Sequence, residues 1–159
     1  MRIFWILLFI SAASAAAFCS PGGVLEKVNK IQVDPTVVDP SSKIDDSVAP
    51  SLVRYNLRAA VRDAHMEEGN SPIRAHIVLD IFSSESPVRK AAGMGSGRST
   101  NTVDGKLVIQ DANGKELASV KIHVHGSVAF STSDADGDRG GHATSDLEQR
   151  LLKEIEALR

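Results

Sequence analysis

The chain has 159 residues, 42% of them hydrophobic, and a formal net charge of −2, which suits one globular domain behind an N-terminal leader and excludes the basic field that a nucleic-acid backbone requires. Aromatic residues make up 4% of the chain, and Phe4, Trp5, Phe9 and Phe18 all precede Cys19. The remainder therefore has few rings on which bases or sugars could stack.

Arg2, the apolar run from Ile3 to Ile10 and the Ser/Ala stretch behind it have the layout of a secretory signal peptide, predicted over residues 1–17. The apolar run is shorter than the roughly 20 residues of a membrane-spanning helix, and Pro21-Gly22-Gly23 closes it. Two exits from the leader stand side by side. Ala15-Ala16-Ala17 offers an A-x-A cleavage site, whereas Cys19 stands where bacterial lipoproteins carry their acylated residue. Phe18 departs from the small residue that precedes the cysteine in those proteins. Cys19 is the single cysteine and has no internal disulfide partner, so it is either a spare thiol or a lipid attachment point. Either way the expected location is outside the cytoplasm: the periplasm, or an outer-membrane lipid anchor, of a Gram-negative bacterium.

Residues 18–47 read as a flexible lead-in carrying one short candidate strand at Val28, Ile31 and Val33, ended by the turn signals Asp34-Pro35 and Asp39-Pro40. A single α+β domain is expected over residues 48–159. Pro50 suits a first helical turn, and Val53, Leu57, Ala60, Val61 and Ala64 recur at helical spacing until Gly69-Asn70. Strict alternation follows, with Ile73, Ala75, Ile77, Leu79 and Ile81 on one side and Arg74, His76 and Asp80 on the other, which is a half-buried strand. Two more strands flank Asn113-Gly114, a pair suited to a two-residue hairpin turn. Centring the hairpin there sets Ile109 opposite Ala118, Leu107 opposite Val120, Gly105 opposite Ile122 and Val103 opposite Val124, so that one face is apolar throughout. At the end, Ser145 with Glu148 three residues on is a capping box, and Leu147, Leu151, Ile155 and Leu158 form the buried stripe of a second helix. The predicted fold is α+β: an antiparallel sheet of about four strands with two helices on one face.

Between these elements lies AAGMGSGRST, residues 91–100. The spacing of Gly93, Gly95 and Gly97 does not match a dinucleotide fingerprint, no lysine precedes the hydroxyl residues as a P-loop requires, and a strand pattern follows where either motif needs a helix. Glycines at every second position of an extended segment share one face and leave it without side chains, so another backbone can come close. With Arg89, Lys90 and Arg98 nearby, the stretch is also a candidate contact surface for an anionic ligand or partner.

The stretch PVRKAAGMGSGRSTNTVDGKLVIQDANGKELASVKIHVHGS, with Arg89, Gly93, Gly95, Gly97, Asp111 and Gly114 at the motif positions, resembles an uncharacterised family of bacterial envelope lipoproteins, the one labelled Domain of Unknown Function 4410. The leader and Cys19 upstream, and a glycine-bearing loop and helix downstream, extend the resemblance over most of the chain. It implies an exported envelope protein and supplies no reaction, because the family has none assigned.

Other constellations are less specific. His123 and His125 are two apart in a strand and so share a face, as a metal pair requires; the hairpin register puts that face toward solvent, with His123 opposite Asp104. Nothing in the sequence brings His76 or His142 to them. Asp134, Asp136 and Asp138 begin like a calcium loop, but Arg139 stands where the glycine belongs and Ser145 where the bidentate glutamate belongs. Ser96 lies between glycines without the spacing of a nucleophile elbow, and Cys19 has no neighbouring base. No cofactor and no catalytic residue is assigned. The residues point to a non-catalytic envelope domain that binds an envelope protein or the membrane surface through Arg89, Gly93, Gly95, Gly97 and Arg98. The alternative is a periplasmic module for a divalent metal or small anion, using His123, His125 and the Asp134–Asp138 loop, or Arg98.

Overall fold

The structure, a computed structural model, describes residues 23–84, 100–128 and 144–159. In chain order the elements are β1 (Lys30–Val33), β2 (Val37–Ile44), α1 (Ala49–Asp63), β3 (Glu67–Glu68), β4 (Arg74–Ser84), β5 (Asn101–Gln110), β6 (Glu116–Gly126) and α2 (Asp146–Ala157). The strands form one sheet in the order β3-β1-β4-β5-β6, with β2 also paired to β4.

The fold is α+β as expected, but the sheet has six strands and is mixed rather than four-stranded and antiparallel. β1 and β2 both run parallel to β4 along the same side of it, and β1 is parallel to β3. Only β4–β5 and β5–β6 are antiparallel. Parallel neighbours need a crossover between them, and α1 is that crossover from β2 to β4. β2 was hidden by its own composition. Pro40 reads as a turn, yet a proline is tolerated on an edge strand, where its missing N–H faces away from the ladder. The register of β2 on β4 shifts between Val38 and Lys43, which leaves the segment around Asp39-Pro40-Ser41 as a bulge. The segment read as a flexible lead-in thus supplies two strands and, with Leu25, Ile31 and Val33, part of the core.

The hairpin register is the expected one: Ile109 faces Ala118, Leu107 faces Val120, Gly105 faces Ile122 and Val103 faces Val124. The turn that achieves it differs. Asp111 N–H donates to Lys115 O at 3.0 Å and Gly114 N–H to Asp111 O at 3.0 Å, and of the turn residues only Gly114, at φ 81°, is left-handed. This is a three-residue loop with glycine at its left-handed position, not a two-residue turn. The Asp111 carboxylate accepts from Asn113 N–H at 2.8 Å and Lys115 N–H at 3.0 Å, fixing the loop. The loop displaces the pairing by one residue, and a bulge at Leu117 restores it beyond Ile109.

A second bulge corrects β4. Leu79 faces Gly105 and Ile81 faces Asp104, so Asp80 is the extra residue and the side-chain parity reverses beyond it. Phe82, at 1% exposure, therefore joins the core in place of Ile81. Gly105 is required opposite this kink, since a Cβ there would lie 2.5 Å from the Val78 carbonyl oxygen.

The helices cover the face carrying Ala75, Ile77, Leu79, Phe82, Leu107, Ile109 and Ile122. All five expected stripe residues of α1 are buried, as are Leu147, Leu151 and Ile155 of α2. Burial of each large aliphatic side chain contributes about 2 kcal/mol. α1 ends earlier than Gly69-Asn70 predicts: the left-handed residue is His65, at φ 56°. Met66 N–H donates to Val61 O at 3.1 Å and His65 N–H to Arg62 O at 2.9 Å, which is a Schellman stop built without glycine.

Candidate functional site

The face of the sheet turned away from the helices is mainly polar, with Val78, Ile81 and Val108 set among its polar side chains. It carries Arg74 and His76 from β4, Thr102, Asp104 and Lys106 from β5, and Ser119, Lys121, His123 and His125 from β6, which alternate with the core residues along each strand. At one end Arg74 pairs with Asp34, which follows β1. Nε lies 2.8 Å from Oδ2, Nη2 donates to Oδ1 at 3.0 Å, and Gln32 donates to the same Oδ1 at 2.8 Å. Burial pushes the Asp34 carboxyl up, but the hydrogen bonds from Arg74 and Gln32 and the charges of Arg74 and His76 outweigh it and hold it below the usual 3.8. His76 is held below its usual 6.5, chiefly by burial and further by the Arg74 and Lys106 charges, against the pull of Asp34 and Glu116.

Farther along the same face, Lys106 stands directly opposite Lys121 and is balanced by Glu116 at 3.7 Å; Glu116 in turn accepts from Ser119 Oγ at 2.6 Å. His123 and His125 share this face as the spacing predicts. His123 Nδ1 contacts Asp104, the residue the hairpin register set against it, and His125 Nδ1 meets Thr102 Oγ1 at 3.1 Å. The two imidazoles are thus engaged with different partners. Among the described residues no three His, Cys, Asp or Glu side chains are placed to hold a metal ion. Arg74 with Asp34, Lys106 with Glu116 and His123 with Asp104 thus bring groups of opposite charge type together across strands on this face.

A second feature was not read from the sequence. The buried polar residues described are Asn56, Asn101, Ser145 and Glu148. Ser145 Oγ donates to Asn56 Oδ1 and accepts from Glu148 N–H at 3.0 Å, the expected cap of α2, while Asn56 Nδ2 donates to Leu52 O at 2.7 Å. Asn56 falls on the apolar stripe of α1, between Val53 and Leu57, and a polar residue on such a stripe was the available signal. Nearby, Gly126 pairs with Asn101, and a Cβ on Gly126 would lie 2.5 Å from Asp146 Oδ2. That carboxylate accepts from Ser127 N–H at 2.6 Å and from Ser127 Oγ at 2.8 Å.

Ser84, Asn101 and Gly126 stand level at this same end of the sheet. Arg89, Gly93, Gly95, Gly97 and Arg98, the Asp134–Asp138 stretch, His142 and Cys19 lie outside the described residues. Among the described residues no helix is long and apolar enough to cross a membrane.

No protein-family model matches the chain, and no curated protein matches it. Solved structures do. The PelC dodecamer from Paraburkholderia phytofirmans is 12% identical with a TM-score of 0.50, over 87% of this chain and 92% of that one. A point variant of the same dodecamer is 13% identical with a TM-score of 0.52, over 86% and 91%. A minor lipoprotein from Acinetobacter baumannii is 9% identical with a TM-score of 0.37, over 81% and 93%. The chain therefore shares the fold of PelC along most of the length of both proteins.

Proposed function

We propose that this chain is an exported, non-catalytic domain of the bacterial cell envelope that works by binding, and that it assembles with copies of itself. The likeness of fold to PelC, a protein solved as a dodecamer, is the observation that carries the self-assembly. The leader over residues 1–17 and the resemblance in residues 87–127 support the envelope location. The polar side chains that β4, β5 and β6 present on the open sheet face support binding to a polar partner. Arg89, Gly93, Gly95, Gly97 and Arg98 remain the proposed contact residues of the β4–β5 connection, and Cys19 the proposed lipid attachment point.

The test is to express the full chain in a Gram-negative host, separate soluble periplasmic from membrane fractions, and measure intact mass and native mass in each. A chain shortened at the leader, in either fraction, with a native mass several times that of one copy supports the proposal. An acylated chain beginning at Cys19 makes it a tethered domain, and an unmodified chain beginning at Phe18 makes it a free one. A full-length cytoplasmic chain overturns the location, and a mass of one copy overturns the self-assembly.

A further inference from the structure

We infer that Asn113, at the tip of the β5–β6 hairpin, is the site at which the folded protein deamidates, and that the Asp111 carboxylate sets the rate by holding the loop closed, independently of where the chain resides or what it binds. Asparagine is a chemically labile residue, and its fate is decided by the next backbone nitrogen. That nitrogen, once deprotonated, attacks the side-chain carbonyl carbon; a C–N bond forms, the side-chain nitrogen leaves as ammonia, and a succinimide ring results. Water then opens the ring, so that one water is consumed for each ammonia released. Opening at Cγ leaves aspartate, whereas opening at the backbone carbonyl leaves isoaspartate, in which the main chain runs through Cβ and Cγ and is one atom longer. A side chain on the following residue hinders the attack. Of the asparagines at positions 29, 56, 70, 101 and 113, Asn113 alone is followed by glycine.

The loop leaves the side chain open to this attack and restrains the backbone. Ala112, Asn113 and Gly114 are exposed, and a Cβ on Gly114 would meet nothing within 4 Å, so no neighbouring group shields the pair. Asn113 is held through its backbone N–H, which donates to Asp111 Oδ1 at 2.8 Å, while its side-chain amide makes no hydrogen bond among the described residues. The Gly114 N–H, by contrast, donates to Asp111 O at 3.0 Å and must give up that bond before it can lose its proton. Opening the loop also breaks the bonds from Asn113 N–H and Lys115 N–H to the Asp111 carboxylate, which are charge-assisted and so stronger than neutral ones. An exposed loop of this kind opens without the rest of the sheet, so the reaction proceeds from the folded protein, only more slowly. Gly105, which follows Asp104, is not open in this way, because it lies in the ladder between Leu79 and Ile122. In the isoaspartate form the extra atom falls between residues 113 and 114. The bonds of Gly114 and Lys115 to Asp111 then no longer fit together, and a second carboxylate stands beside that of Asp111. The pairing of Gln110 with Glu116 adjoins the loop and loosens first, and with it the approach of Glu116 to Lys106 on the open sheet face.

The test is to warm the mature chain in mildly alkaline buffer, digest samples with trypsin over time, and follow the peptide of residues 107–115 by mass spectrometry against an unwarmed sample. Isoaspartate and aspartate are expected at position 113, with isoaspartate in excess and ahead of any change at Asn70. The reaction is expected to be faster in the chain unfolded by guanidinium chloride, and roughly tenfold faster than the parent in folded Asp111→Ala, the factor given by removing one hydrogen bond of ordinary strength from the closed loop. Circular dichroism establishes that the variant is folded, and Asp111→Asn, which keeps an acceptor oxygen without the charge, takes its place if it is not. The modified protein, separated from the parent by its added negative charge on an anion exchanger, is expected to melt below both the parent and Asn113→Asp, which carries the charge without the extra atom. An Asn113 that stays intact in the folded parent overturns the site. A folded Asp111 variant that reacts at the parent's rate overturns the role of Asp111, and a modified protein that melts with Asn113→Asp overturns the effect of the lengthened loop.

Discussion

His76 shows how the open face trades stability for polarity. Its ring is half-buried between the charges of Asp34 and Glu116 on one side and Arg74 and Lys106 on the other, and burial, the largest cause, keeps it from protonating as readily as a free histidine. The unfolded chain therefore takes up this proton first, near the usual value of 6.5, and between that value and the lower folded one the unfolded state binds more protons. Stability falls across this window as pH falls. Asp34 acts elsewhere on the scale: its depressed carboxyl adds stability above the usual 3.8 that is lost only at lower pH. Comparing urea unfolding free energies at about pH 8 and about pH 5, the parent is expected to lose more stability than His76→Gln, which has no imidazole to charge. Equal losses would show that burial of His76 does not disfavour its cation.

At the scale of elements, the stop of α1 is the clearest place where a better residue is available. His65 occupies the left-handed position at φ 56°, where a side chain is strained by about 1 kcal/mol and glycine is not. His65→Gly is expected to raise the unfolding free energy by up to about 1 kcal/mol, less the added entropy of the unfolded chain, read as a higher denaturation midpoint at unchanged slope; a lower midpoint would mean that the ring makes contacts worth more than the strain. The same position explains what the sequence conceals. Helical stripes and the hairpin register were legible because each follows from local periodicity, and with the register came the pairing of Asp104 with His123. The stop at His65 was not, because glycine is the usual signal and the chain uses a histidine. Nor were the bulges at Asp80 and Leu117, each of which shifts parity by one residue without changing composition. The Asp34–Arg74 pair joins residues 40 positions apart through parallel strands, and no local pattern reports that neighbourhood. β2 was lost to Pro40, whose turn signal outweighed the β-branched Val37 and Val38.

For the whole molecule, the decisive contacts are those that tie its two ends together. Leu25 is fully buried, and its N–H donates to Leu158 O at 2.7 Å at the end of α2. Gly23 lies so close that a Cβ would come within 2.2 Å of the same oxygen, and Arg159 Nη1 donates to Ala64 O at 2.7 Å at the end of α1. The start of the described chain is thereby clamped to the ends of both helices. On the tethered reading of Cys19, the four residues from there to Gly23 span at most about 14 Å, so the helix ends would be held beside the membrane. This geometry requires the clamp to unfold with the rest of the domain rather than ahead of it. Leu25→Ala removes a wholly buried side chain from the core cluster and is expected to cost about 3 kcal/mol, with the slope of the urea transition unchanged because the same surface is exposed on unfolding. A cost below about 1 kcal/mol would place Leu25 outside the cooperative unit, for burial of a leucine within it contributes more than that, and the tether would then hang from a segment that opens independently of the sheet.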